Sequence, residues 1–328
     1  MLRKILTLAL APLVIVGSAF AADDDKIMGY YEGMSEADPI AMQVIARADN
    51  TWAINILVGE EKMQLPNQLT AKLDGEKGKS DRASIHGAIE VEGVKWEIAG
   101  VILAGKASGV AFSPGISRSF SLARKQLKSP TFDAKPTPGA KVLLDGTNLD
   151  AWKLITDKWA LTDEAAMQIS QSSLMTVEEF GSFKLHLEFM NPFMPNDLGQ
   201  ARGNSGVYIH GSYEVQVLDS FGLPPADNDC GGIYKQAVPT SNASYPPLTW
   251  QTYDIEFHAP KFDAAGAKTA NARITVVHNG VTIHNNRELT APTPGGTRDN
   301  EAPTGPLMLQ HHHDAVKYRN IWLQPIAE

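Results

Sequence analysis

Phe183-Lys184-Leu185-His186-Leu187-Glu188-Phe189 alternates apolar and polar side chains without a break. A period of two belongs to a strand with one face buried. Phe183, Leu185, Leu187 and Phe189 therefore mark a core face, and Lys184, His186 and Glu188 the opposite one. The same pattern recurs outward along the chain. Val207 and Ile209 alternate with Tyr208 and His210, and Tyr253, Ile255 and Phe257 with Thr252, Asp254, Glu256 and His258. Asn279-Gly280 separates two further runs, residues 274–278 and 281–285, and is the dipeptide that a two-residue hairpin favours. Short strands with long turns and no helical period predict a two-sheet β-sandwich of jelly-roll type over residues 141–328.

Upstream, short alternating runs at residues 41–46, 52–58, 68–73, 85–91 and 96–103 are punctuated by Asp49-Asn50, Asp74-Gly75 and Glu92-Gly93. They predict a smaller antiparallel β domain, meander or barrel, within residues 22–128. Residues 39–47 alone fit a helix as well as a strand. Residues 129–139, SPTFDAKPTPG, carry three prolines and few large apolar side chains, so residues 129–140 read as the connection between two domains. The expected fold class is all-β, without internal repeats.

Residues 1–21 have the form of a secretory signal: Arg3 and Lys4, then a short apolar stretch, then Ala19-Phe20-Ala21. The stretch is shorter than the roughly 20 residues a spanning helix needs. Cleavage after Ala21 and a periplasmic or secreted, non-membrane protein are expected. The net charge of −8 would become −10 with the loss of Arg3 and Lys4. That acidity, with no Lys/Arg run longer than a pair, argues against nucleic acid as a partner. A single cysteine, Cys230, excludes an internal disulfide and Cys-based zinc sites. There is no P-loop, dinucleotide fingerprint, HExxH or GxSxG elbow.

Chemistry concentrates in residues 203–220, GNSGVYIHGSYEVQVLDS. Two strands meet at His210-Gly211-Ser212. Alternation places Tyr208 with His210 on one face, and Glu214 with Gln216 on one face. Asp219 joins Glu214 only if a bulge shifts the register. The two would then be a carboxylate pair suited to acid–base work on a sugar, although such pairs also occur on solvated sheet faces. Lys235, beside Gly231-Gly232, could stabilise an oxyanion. On a strand, only His311 and His313 of the run 311–313 would project together, and a metal site would need a further ligand such as Glu256 or His258.

Seven motifs occur in order: VLLDGT (142–147) with Trp152, GNSGVY (203–208), YEVQVLDS (213–220), GGIY (231–234), WQTYDIEF (250–257), GPLMLQHH (305–312) and YRNIW (318–322). Together they resemble the 3-keto-disaccharide hydrolase domain family, over about residues 141–325. The resemblance implies a concanavalin-like jelly roll similar to that of laminarinases. Laminarinase-type enzymes carry a Glu-x-Asp-x-x-Glu strand. Here the comparable positions are Glu214, Gln216 and Asp219, a departure that counts against ordinary retaining hydrolysis of an unmodified glucan.

The resemblance implies cleavage of the glycosidic bond of 3-keto-glucosides or 3-keto-disaccharides, by elimination across C1–C2 followed by hydration. Its catalytic residues are then Glu214 or His210 as base, Lys235, Gln216 or a bound divalent metal on the enolate, and His312 or Asp219 at the leaving group. Asn204, Tyr208, Gln216, Tyr234, Glu256, Gln310 and His312 are expected to bind the sugar. No cofactor is certain. A divalent ion, calcium or a transition metal, stays open, with Asp227-Asn228-Asp229 an oxygen-rich loop suited to calcium. The expected partner is a small oxidised sugar supplied by an upstream sugar 3-dehydrogenase. The alternatives are a non-catalytic carbohydrate-binding jelly-roll module of the cell envelope and a structural calcium-binding sandwich.

Overall fold

The computed structural model describes residues 26–36, 38–65, 68–74, 81–153, 160–162, 164–168 and 171–327. The expected signal segment, residues 1–21, lies outside them. Among the described residues no helix is long and apolar enough to cross a membrane.

The first sheet has nine strands, all paired antiparallel. Asp38–Arg47 bonds to Gly29–Ser35 on one side and to Thr51–Val58 on the other, which closes the sheet into a barrel. Residues 39–47 are therefore strand, because closure uses both of that strand's hydrogen-bonding edges. Met42, Val44, Ile54, Ile85, Ile102 and Leu122 fill the interior. Glu92-Gly93, both at positive φ, make the two-residue turn between Arg82–Val91 and Val94–Leu103. The inverse twist of such a turn matches that of the strands it joins.

Downstream, an eight-stranded and a five-stranded antiparallel sheet form a sandwich. Phe183–Met190 lies in the larger sheet between Lys317–Pro325 and Gln251–His258. Phe183, Leu185, Leu187 and Phe189 are all at most 2% exposed and pack against Val207, Ile209, Val215 and Val217 of the smaller sheet. Asn279-Gly280 turns between Ala272–His278 and Val281–Leu289, both residues at positive φ. Alternation thus set the core face as expected.

The connection is a strap fixed to the outer face of the larger sheet. The Ser129 hydroxyl meets that of Thr252 at 2.6 Å, and Thr131 donates to Asp254 at 2.6 Å. The Asp133 N–H donates to Glu188 at 2.6 Å, and Asn320 and Trp322 donate to the Ala134 carbonyl at 3.0 and 3.2 Å. The strap explains why His186 and Glu188, on the polar side of their strand, are 1% and 0% exposed. Barrel and sandwich also meet directly. Arg202 Nη1 donates to the Ala46 carbonyl at 3.0 Å, and Asn55 Nδ2 to the Gly222 carbonyl at 2.6 Å.

Candidate active site

Ser205–Ile209 and Tyr213–Val217 form a hairpin in unbroken register, with Tyr208 opposite Glu214 and Gly206 opposite Gln216. Val207, Ile209, Val215 and Val217 enter the core, so Gly206, Tyr208, Glu214 and Gln216 share the outer face of the smaller sheet. A cavity of about 230 Å³ sits there, lined by Gln200, Asn204, Tyr208, Glu214, Gln216, Tyr234, Pro294, Gly295, Gln310 and His312.

Glu214 is its only carboxylate among the described residues. The residue is 2% exposed, and the Tyr208 hydroxyl lies 2.8 Å from Oε2. Burial raises the Glu214 pKa to about 7, against a smaller lowering by the Tyr208 hydrogen bond. A carboxylate without a nearby cation keeps the desolvation penalty on its charged form. The Tyr208 oxygen also lies 3.0 Å from the Pro294 carbonyl and accepts from Gln310 Nε2 at 3.3 Å. Its single proton has two acceptors. It donates to Glu214 when that group is ionised and can turn to Pro294 when Glu214 carries a proton. Burial beside Glu214 pushes the phenol well above its ordinary pKa, so Tyr208 remains a donor.

Two glycines make the room. A Cβ on Gly206 would lie 2.1 Å from Glu214 Oε1, and one on Gly295, at φ +82°, would lie 2.7 Å from the Tyr208 hydroxyl oxygen. Amides supply the rest of the lining. Asn204 Nδ2 donates to the Gln200 carbonyl at 2.8 Å, Gln216 Nε2 to Gln200 Oε1 at 3.1 Å, and Gln200 Nε2 to the Asn228 carbonyl at 2.8 Å. Asn204 Oδ1 is buried with no hydrogen-bond partner among the described residues. His312 is exposed at the rim.

Seven of the residues expected at the site are therefore together: Asn204, Tyr208, Glu214, Gln216, Tyr234, Gln310 and His312. Four are elsewhere. His210 is the first residue of the hairpin loop, and its φ of +58° breaks the alternation. Its ring turns away from Tyr208 to pack edge-on against Phe257 at 4.7 Å, with Nε2 3.0 Å from the Gly181 carbonyl. Asp219 is not brought beside Glu214, because no bulge interrupts the hairpin. It is buried in an ion pair with Arg202 at 2.6 Å, at the seam with the barrel. Lys235 lies in a turn at φ +58°, half exposed and 3.6 Å from Asp227. Glu256 is on the larger sheet, paired with Lys184 at 3.2 Å and His258 at 3.0 Å.

Gln200, Pro294 and Gly295 line the cavity without having been expected there. Gln200 lies in the short turn Gly199–Ala201, which carries no periodic signal. The Pro-Gly-Gly of residues 294–296 was the only hint of a close approach. Among the described residues no three His, Cys, Asp or Glu side chains are grouped to hold an ion. Asp227 pairs with Lys235, Asp229 accepts from Ser220, and the Asn228 carbonyl is taken by Gln200. The oxygen-rich loop 227–229 is thus engaged by protein partners. Cys230 is buried against the Tyr253 hydroxyl at 3.2 Å, and burial pushes its thiol up.

A family model described as the 3-keto-alpha-glucoside-1,2-lyase-like domain matches residues 139–324. A candidate glycosyl hydrolase from Parabacteroides distasonis, solved by crystallography, is 33% identical with a TM-score of 0.53, covering 57% of this chain and 84% of that one. Two further candidate glycosyl hydrolase structures from the same organism are 16% and 23% identical. Their TM-scores are 0.45 and 0.41, and they cover 58% and 57% of this chain and 95% and 99% of their own. No curated protein matches the chain. The sandwich that carries the Glu214 cavity is the matched region, and the chain belongs to the 3-keto-alpha-glucoside-1,2-lyase-like domain family.

Proposed function

We propose that the chain cleaves the glycosidic bond of 3-keto-glucosides by elimination, with Glu214 as the base. One observation carries this reading: the cavity holds a single carboxylate, buried, with a pKa of about 7. Ordinary glycosidases flank the scissile bond with two carboxylates. The second acid expected here, Asp219, is neutralised by Arg202 away from the cavity. A ketone at C3 removes the need for a second acid in the first step, because it acidifies the hydrogen on C2.

In that step the Glu214 carboxylate takes the C2 proton, and the C–H electron pair forms the C2–C3 enolate. The enolate then collapses to the C1–C2 double bond, and the C1–O bond breaks with its electrons on the leaving oxygen. That oxygen receives a proton from the protonated Glu214 or from His312 at the rim. Water added across the double bond gives the free 3-keto sugar, so the overall reaction is a hydrolysis. A base with a pKa near the working pH is half ionised and still strong enough to act. Gln310 Nε2, which among the described residues donates only to the Tyr208 hydroxyl, is suited to the enolate oxygen. Asn204 Oδ1, an acceptor without a protein partner, is suited to a sugar hydroxyl. We also place the protein outside the cytoplasm, on the signal-like residues 1–21, beside a sugar 3-dehydrogenase that would supply the ketone.

The test offers the purified chain a 3-keto-glucoside and its unoxidised parent, in both anomers, and follows products by mass spectrometry. Cleavage of the keto form alone is the expected result. Cleavage of the parent would overturn the elimination chemistry, and binding of either without cleavage would make the domain a carbohydrate-binding module. Mature chains from the secreting host should begin at Ala22; an intact Met1 would remove the export reading.

A further inference from the structure

A cavity of about 920 Å³ forms a cleft where the barrel runs into the strap. One wall is the end of strand Ile116–Lys125 and the chain leaving it: Arg124, Lys125 and Lys128, all exposed, with Phe132 beyond. The other wall is Pro246, Leu248, Thr249 and Trp250 of the sandwich. No Asp or Glu among the described residues lines the cleft. Among the described residues Arg124 and Lys128 make no ion pair, and Lys125 has only a 3.8 Å contact with Glu32. Three cations line one cleft in a chain whose net charge is −8. Like charges gathered with a single distant counter-charge repel one another, and an anionic ligand relieves that repulsion.

The floor is aromatic and fixed. Lys128 Nζ lies 4.7 Å from the centre of the Phe132 ring, and the Arg319 guanidinium lies 4.6 Å from Phe132 and 4.3 Å from Trp250. Arg319 is itself held by Glu188 at 2.7 Å and Asp133 at 3.3 Å. Phe132 and Trp250 are half-buried and Leu248 is exposed, so apolar surface borders the cations. A ligand matching both needs flat apolar faces and regularly spaced negative charge. Pyranose rings bearing carboxylates have both. Simple phosphates lack the apolar faces, and a nucleic-acid duplex stacks its base faces inside, so its backbone offers no flat apolar surface.

We propose that this cleft binds an acidic polysaccharide built of uronic acid units, and that the barrel serves to hold the Glu214 domain against such a polymer. Carboxylates would pair with Arg124, Lys125 and Lys128, while ring faces lie on Trp250, Phe132 and Leu248. The cleft draws on the carbohydrate setting of the family but not on elimination chemistry, so each reading can fail alone.

Calorimetry on the whole chain tests it with hexagalacturonate, maltohexaose of equal length and a DNA duplex. Hexagalacturonate should bind wild type and Glu214→Gln alike, about tenfold more weakly at high salt. Arg124→Gln/Lys125→Gln/Lys128→Gln should lose the binding. The three positions are exposed, so the thermal midpoint should be unchanged. Trp250→Leu should weaken binding several-fold. No binding of hexagalacturonate, equal binding of maltohexaose, or full affinity in the triple variant would overturn the proposal. Equal binding of DNA would overturn the glycan assignment in favour of a general polyanion site.

Discussion

Glu188 and Glu214 are both buried, at 0% and 2% exposure, on opposite sheets of the same sandwich. Their environments drive them apart. Burial pushes the Glu188 pKa up, but hydrogen bonds from His186, Asn320, the Asp133 N–H and Arg319 outweigh it and hold the group at about 2. His186 answers in kind: burial opposes its charge, yet Asp254 and Glu188 hold its pKa above the ordinary imidazole value. Glu214 has one phenol and no cation, and stands at about 7. A carboxylate surrounded by donors fastens a strap; one left nearly alone in a cavity can move a proton. Sequence type does not separate them, whereas the count of partners does.

The contrast breaks most sharply on replacing the acids. Glu214→Gln should lower turnover of a 3-keto-glucoside by about 10³-fold. Its stability should move the other way. The folded chain holds the Glu214 proton more tightly than the unfolded one, so burial is free of penalty below pH 4.5 and costs on the order of 3 kcal/mol above pH 7. Glu214→Gln should therefore melt higher than wild type at pH 8 and equal to it at pH 4. Equal melting at both would mean that Glu214 is not desolvated.

Glu188→Gln should show the opposite sign. A depressed pKa stabilises the fold above pH 4.5 and ceases to do so as the pH falls through about 2, a term again on the order of 3 kcal/mol. Chemical denaturation at pH 7 should register that loss while the folded fraction keeps its turnover. An inactive but stable Glu188→Gln would reverse the roles assigned to the two acids.

Smaller changes sharpen the account. Gly206→Ala should displace the Glu214 carboxylate from a fixed position and cost about 10²-fold in turnover with the fold intact, as checked by near-UV dichroism. Tyr208→Phe should have the least effect. The Tyr208 hydrogen bond lowers the Glu214 pKa, so its removal should move the acid limb of the pH profile above 7, with a loss in rate of about tenfold. An unmoved limb would show that Tyr208 does not bond Glu214.

The alternation at Phe183, Leu185, Leu187 and Phe189 and the Asn279-Gly280 turn were readable because they obey local geometry. So was the shared face of Glu214 and Gln216, whereas Tyr208 joins them only through the register of the hairpin. What was not readable depends on distant chain. Alternation puts His186 and Glu188 on the polar face, but nothing local says that residues 129–134 cover it. Asp219 looked like a second acid because its partner Arg202 and the barrel seam are tertiary features. His210 failed through one positive φ, where the loop overrode strand periodicity. Gln200 gave no sign at all.

The proposed elimination needs one carboxylate with a pKa near 7 to abstract the C2 proton. The most direct measurement is the pH dependence of kcat/KM for a 3-keto-glucoside. Wild type should show an acid limb with an apparent pKa of about 7, with activity rising with pH as Glu214 ionises and absent in Glu214→Gln. A limb near the ordinary carboxylate value, or a Glu214→Gln protein that keeps the wild-type profile, would contradict it.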